Sequence, residues 1–171
     1  MSDINKYIFA IGGGGFTHRK DKSLDNFILS IKNKEILKIG FLPTASKDNY
    51  EKTELFYESF KKTKHKLSHF ELLKKTIGFE EWVLSNDIIY VGGGNTYFML
   101  ELWKKNNLTN IFRRAYSNGI ILCGVSAGAV CWFENILSNS LNKKFTHLKG
   151  IGLINLSCTP HASSEPERVK V

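Results

Sequence analysis

Ile120-Ile121-Leu122-Cys123-Gly124-Val125-Ser126-Ala127-Gly128 decides how the rest of the chain is read. Four apolar residues make a short buried strand, and the five that follow match G-x-S-x-G. A helix is expected to continue from there to about Phe133. A serine between strand and helix, flanked by glycines, has the context of a nucleophile elbow. The sharp turn lifts the hydroxyl out of the sheet, and the glycines are needed because a Cβ would strike the neighbouring strand or helix. Ser126 is therefore the candidate nucleophile. The Ala127 N–H would point at a developing oxyanion, aided by the positive end of the helix. A tightly packed structural turn uses the same residue types, so the elbow has to be weighed with the rest of the chain.

Outward from the elbow, strand-like and helix-like stretches alternate. Tyr7 to Ile11 is an apolar run that stops at Gly12-Gly13-Gly14-Gly15, and Asp87 to Val91 is another that stops at Gly92-Gly93-Gly94. Ile36 to Leu42 is a third, closed by Pro43, and Leu67 to Leu73 alternates polar and apolar as a strand does. Between them, residues 22–33 place Leu24, Phe27, Ile28 and Ile31 at helical spacing. Asn49 is positioned to cap a helix running to about Lys62. Asn95 or Thr96 is positioned to cap another, carrying Tyr97, Phe98, Leu100, Leu102 and Trp103. A further helix is expected over about 108–117, and short strands over 151–156 and 157–159. This alternation predicts an α/β fold, a mostly parallel sheet with helices on both faces. Ligands bind such sheets beyond the carboxyl ends of the strands, where the three glycine turns fall.

Composition narrows the function classes. The chain has 171 residues, 42% hydrophobic, which suits a single domain with a real core. No apolar run reaches the ~18–20 residues of a membrane span, and the N-terminus lacks a signal-peptide pattern, so a cytoplasmic location is expected. Three cysteines, Cys123, Cys131 and Cys158, without a C-x-x-C pair argue against a disulfide framework or a zinc site. The net charge is +8, but the lysines are scattered. The densest stretch, residues 61–66, falls at an expected helix end, where cations are favourable. Neither nucleic acid nor a membrane is expected as a partner.

A serine nucleophile needs a base. Of five histidines, His65 and His69 lie in a basic stretch, His18 follows the first glycine run and His147 precedes Gly150 in a loop. His161 follows Pro160 at the end of the last strand-like segment, where an active-site loop belongs. The Gly92-Gly93-Gly94-Asn95-Thr96 turn has two readings: a second oxyanion donor, or a cradle for a phosphate. It lacks the lysine of a P-loop, and its nearness to the elbow favours the first.

These pieces together resemble the peptidase E family of serine peptidases, the aspartyl dipeptidases and their relatives. The resemblance rests on Gly12 to Gly15, Gly92-Gly93-Gly94-Asn95-Thr96, Val125-Ser126-Ala127-Gly128-Ala129 and Pro160-His161, in that order. It implies a three-layer sandwich like the class I glutamine amidotransferases (flavodoxin-like), and hydrolysis of short peptides, in the best-known members dipeptides with an N-terminal aspartate. It implies no metal and no organic cofactor. Carried over by position, Ser126 is the nucleophile, His161 the base, and the N–H groups of Gly93 or Gly94 and of Ala127 the oxyanion hole. Asn95 and Thr96, on the same turn, are assigned to substrate contact. The expected partner is a small peptide, and the expected state a monomer or homodimer.

Three departures qualify the match. Ser138-Asn139-Ser140 stands where relatives carry the acid of the triad, which leaves Glu134, at the end of the expected elbow helix, as the nearest candidate. Ala162-Ser163-Ser164 replaces the aromatic residue that often follows the histidine, and Arg168 nearby is a candidate partner for a substrate carboxylate. Relatives also run on beyond residue 171, so the single domain, residues 1–171, reads as truncated at its C-terminus. The alternative readings are an inactive relative that binds a small peptide or anion, and a hydrolase of another amide. A glutamine amidotransferase is disfavoured, because that chemistry places Cys where Ser126 stands.

Overall fold

The computed structural model describes residues 4–18 and 22–169. Five short strands form one parallel sheet: β1 (Ile8–Ile11), β2 (Lys38–Leu42), β3 (Lys66–His69), β4 (Ile88–Val91) and β5 (Ile121–Val125). Their spatial order is β1-β5-β4-β2-β3, all neighbours parallel. Alternation along each strand sorts the side chains onto two faces. Ile39, Phe41, Ile88, Tyr90, Ile121 and Cys123 pack with Phe16, Ile28, Phe56 and Phe60. These last come from the segments after β1 and β2, including α1 (Ser23–Ser30) and α2 (Tyr50–Phe60). Leu42, Ile89, Val91 and Leu122 face the other way, onto residues of α3 (Phe79–Leu84), α4 (Thr96–Lys105) and α5 (Thr109–Ser117). Crossovers that step one way along the sheet place their helices on one face, and those that step back place them on the other, as right-handed connections require. The α/β sandwich expected from the sequence is the fold observed.

Local signals account for most element boundaries. Asn49 accepts from the Lys52 N–H at 3.0 Å and so caps α2. Asn95, not Thr96, caps α4, accepting from the Phe98 N–H at 2.8 Å. At the opposite edge of the sheet Asp87 ties β2 to β4: its carboxylate accepts from the Lys38 N–H at 2.8 Å and from Lys34 Nζ at 2.8 and 3.0 Å. Burial raises the Asp87 pKa, but these donors outweigh it and the net shift is downward. All three cysteines are free, and burial pushes the thiols of Cys123 and Cys131 well above their ordinary range.

The C-terminal third departs from expectation. The helix after the elbow, α6, spans only Ala127–Val130, and Phe133–Ser138 is a strand, β6. It belongs to a second, three-stranded sheet of order β7-β6-β8, with β7 at Thr146–Lys149 and β8 at Ile154–Cys158. Tertiary pairing overrides the helical reading here. The carbonyls of Cys131, Trp132 and Phe133 accept from Ile151, Leu153, Ile154 and Gly152 N–H groups, so they are not available to a continuing helix. Gly150 permits this approach: a Cβ there would lie 2.2 Å from the Phe133 carbonyl oxygen. The two expected late strands are the single β8, while β7 and α3 were not anticipated. Trp132, just before β6, is fully buried with its ring 5.7 Å from that of Phe112, which fastens the start of the second sheet to α5. Burial of such a ring contributes on the order of 3 kcal/mol. No helix among the described residues is long and apolar enough to cross a membrane.

Two predictions follow from these contacts. Gly128→Ala would drive a Cβ to 2.1 Å from the Val91 carbonyl oxygen, whereas Gly12 has open space around it. We expect Gly128→Ala to lose about 3 kcal/mol or more, or to fail to fold, and Gly12→Ala to change the melting temperature by no more than ~2 °C. Equal melting curves for the two variants would contradict the packing described. Because the folded Asp87 pKa is lowered, its contribution is present above the unfolded value and lost as pH falls through the folded one. Asp87→Asn should therefore melt below the parent protein at neutral pH, with the gap closing as pH drops below about 4. A gap that persists in acid would assign the loss to packing instead.

Candidate active site

Register brings the three glycine turns together. Ile11 pairs with Val125, and Val91 with Gly124, so β1, β5 and β4 end at nearly the same level. Because β5 lies between β1 and β4, Gly12-Gly13 emerge on one side of Ser126 and Gly92-Gly93-Gly94 on the other. Ser126 holds φ +54° and ψ −111°, an uncommon backbone state for a residue with a side chain. The state is held from three directions. The Ser126 N–H donates to the Ile11 carbonyl at 3.2 Å, and its carbonyl accepts from Ala129 and Val130 at 2.9 and 3.0 Å. Gly128 and Gly124 pack so closely against the Val91 carbonyl that a Cβ on either would overlap it.

His161 arrives from the second sheet. It lies in the turn after β8, with φ +62°, and its Nε2 is 2.9 Å from Ser126 Oγ. That is hydrogen-bond distance, and proton transfer to Nε2 requires the tautomer with its proton on Nδ1. The turn is closed by Glu165 and Ser164 N–H groups donating to the His161 carbonyl at 2.8 and 3.1 Å. Other histidines are committed elsewhere: His65 Nδ1 accepts from the Leu37 N–H, and His69 Nδ1 meets the Tyr57 hydroxyl at 2.8 Å. His147 is an exposed residue of β7.

The backbone leaves suitable donors around the serine. In the 92–95 turn, Gly92 N–H donates to Leu42 and Asn95 N–H to Ala45. The N–H groups of Gly93 and Gly94 have no acceptor among the described residues. Ala127 opens α6, so its N–H has no helical acceptor either. A cavity of about 310 Å³ lies against the Gly93 and Gly94 turn, lined by Gly93, Gly94, Ser126 and His161 together with Gly12, Phe16 and Lys52. No cluster of three or more His, Cys, Asp or Glu side chains suited to a metal occurs among the described residues.

The remaining expected site residues are placed differently. Asn95 is occupied as the α4 cap and donates to the Ser140 carbonyl at 2.8 Å, and Thr96 is buried beneath it. Glu134 is not at a helix end but on β6, where its carboxylate lies 3.4 Å from Lys149 Nζ. No hydrogen bond or ion pair joins it, or any other carboxylate, to His161 among the described residues. Arg168 is 3% exposed. It pairs with Glu165 at 2.7 Å, donates to Asn139 Oδ1 at 3.1 Å and stacks over Phe145, so it braces the histidine turn and does not line the cavity. Asn139 serves as a neutral acceptor for that brace.

Sequence reading passed over Lys52. Its Nζ enters the cavity and donates to the Gly93 carbonyl at 2.9 Å. Burial pushes its pKa below the ordinary lysine value. The available signal was a cation in the first turn of a helix, where the macrodipole disfavours it.

Comparison with known proteins agrees with this geometry. The model for peptidase family S51 matches residues 8–171. The Bacillus subtilis (strain 168) protein named uncharacterized peptidase YgaJ is 42% identical over 165 residues, covering 95% of this chain and 71% of that protein. The Listeria innocua protein named uncharacterized peptidase Lin0382 is 30% identical over 139 residues, covering 75% of this chain and 66% of its own length. A solved structure of a Listeria monocytogenes EGD-e protein named after peptidase E has the same fold, with a TM-score of 0.69 at 19% identity over 95% of this chain and 84% of that one. A peptidase from an acI-B1 actinobacterium also gives a TM-score of 0.69 at 19% identity, over 94% of this chain and 70% of the other. The chain belongs to peptidase family S51, a family of serine peptidases.

Proposed function

We propose that the chain hydrolyses short peptides, dipeptides with an N-terminal aspartate first among them, with Ser126 as nucleophile and His161 as general base. The observation that carries the reading is the 2.9 Å contact between Ser126 Oγ and His161 Nε2 at the mouth of a cavity whose wall offers unpaired N–H groups. His161 takes the hydroxyl proton as Oγ attacks the scissile carbonyl. The carbonyl oxygen gains charge and is met by N–H groups of Ala127 and of Gly93 or Gly94. The imidazolium then gives its proton to the leaving amine, and water resolves the acyl-enzyme by the same path in reverse. The cavity of about 310 Å³ lies at the small end for ligand sites, which favours a dipeptide over an extended chain.

The test is hydrolysis of Asp-Leu beside Glu-Leu, Ala-Leu and Leu-Asp by the parent protein, Ser126→Ala and His161→Gln. We expect turnover of Asp-Leu above the others, and a loss of about 10³-fold or more in kcat/KM in each variant, as for other serine–histidine pairs. Turnover that survives Ser126→Ala would remove the nucleophile from this scheme. A folded parent protein that cleaves none of the four would favour another amide substrate or a purely binding role.

A further inference from the structure

Lys52 is placed against several preferences at once. It sits in the first turn of α2, where a cation opposes the helix dipole. Its ammonium reaches into the cavity beside Ser126, and no carboxylate pairs with it among the described residues. One of its three protons goes to the Gly93 carbonyl, which leaves two donors aimed at whatever fills the space. Among the described residues that line the cavity it is the one lysine or arginine, and none of them is an aspartate or glutamate. Lys52 is exposed, so standing without a counter-ion costs it little, but an anion in the cavity would gain a charge-assisted hydrogen bond from its free protons. Desolvation lowers its pKa from the ordinary lysine value.

We infer that Lys52 is the specificity-determining residue of the cavity: its ammonium receives the side-chain carboxylate of an acidic residue on the acyl side of the scissile bond. The acyl side is assigned because Lys52 is anchored to Gly93, on the turn that supplies the oxyanion donors, whereas the leaving amine must lie toward His161. The role expected of Arg168 from sequence thus passes to a residue on another helix, since Arg168 is enclosed with Glu165 and Asn139. This inference rests on the peptide reading of the site, and it can be tested apart from turnover.

Binding of uncleaved ligands to the Ser126→Ala protein separates the two. Titration calorimetry would compare Asp-Leu, Ala-Leu and Asp-Leu amide on Ser126→Ala, and on Ser126→Ala combined with Lys52→Met or Lys52→Arg. We expect Asp-Leu and its amide to bind at least about 10-fold tighter than Ala-Leu, Lys52→Met to erase that difference, and Lys52→Arg to keep most of it. Lys52 is surface-accessible on a capped helix, and matched melting temperatures would show both variants folded. A preference for aspartate that survives Lys52→Met, no preference in the Ser126→Ala protein, or absence of binding would each overturn the inference. Equal weakening of Asp-Leu and Ala-Leu by Lys52→Met, with the amide unaffected, would assign Lys52 to the C-terminal carboxylate and overturn it as well. Selective binding without turnover by the parent protein would instead refute the peptidase reading and leave Lys52 as the acid receptor.

Discussion

The site depends on one steric constraint, the contact of the elbow backbone with the Val91 carbonyl. Gly124 and Gly128 flank the turn, and neither position has room for a Cβ: the gaps to the Val91 oxygen would be 2.8 and 2.1 Å. Main chain therefore meets main chain where β5 passes into α6. That closeness brings the Gly93 turn against Ser126, with a Cβ built on Gly93 only 3.3 Å from the Ser126 Cβ. It also forces the backbone of Ser126 into its positive-φ state, which turns the hydroxyl out of the sheet. Ser126 and the N–H groups proposed as oxyanion donors are thus brought together by a single packing event and need no flexible loop to assemble them.

His161, the proposed base, is held by a separate and less secure device. His161 follows the edge strand of a small sheet, and its position depends on the pairing of β6 with β8 and on the Thr159 hydroxyl donating to Leu137 at 3.0 Å. Behind the turn, Arg168 joins Glu165 to Asn139 and to the ring of Phe145. A buried guanidinium with three kinds of partner resists displacement better than an exposed pair, because breaking it would strand a desolvated charge. The serine is fixed by backbone close packing, and the histidine by side-chain contacts of a short C-terminal segment. Damage to that segment would reach the base first and leave the elbow intact.

Much of this was legible in the sequence because the parallel sheet writes itself plainly. The runs of β1 and β4 end in glycine, that of β2 at Pro43 and that of β5 in the elbow, so the five main strands, the two asparagine caps, Ser126 and the glycine turns could be located without coordinates. The second sheet was not legible. Val130 to Phe133 continues the apolar run of the elbow helix, and only pairing with residues 151–154 shows that the helix has ended. Glu134 was assigned to a helix end for that reason, and its strand carries it to Lys149. Asn95 and Thr96 follow the glycine turn beside Ser126, but local spacing does not say that capping and burial use up both side chains. Lys52 was invisible for the opposite reason. It lies over seventy positions before Ser126 in a helix full of polar residues, and only the order β1-β5-β4-β2 places the start of that helix beside the elbow.

Electrostatics then relate the cavity's cation to the base. A serine–histidine pair is usually completed by a carboxylate that steadies the imidazolium, and the described residues put none at His161. Lys52 lines the same cavity, and its positive charge opposes the imidazolium that forms when Ser126 attacks. Both side chains are exposed, so water screens part of that repulsion. With an acidic side chain bound at Lys52, as inferred above, the two charges cancel before proton transfer begins. The substrate that satisfies the lysine would then also bring a negative charge into the cavity that His161 lines, and a neutral substrate would bring none.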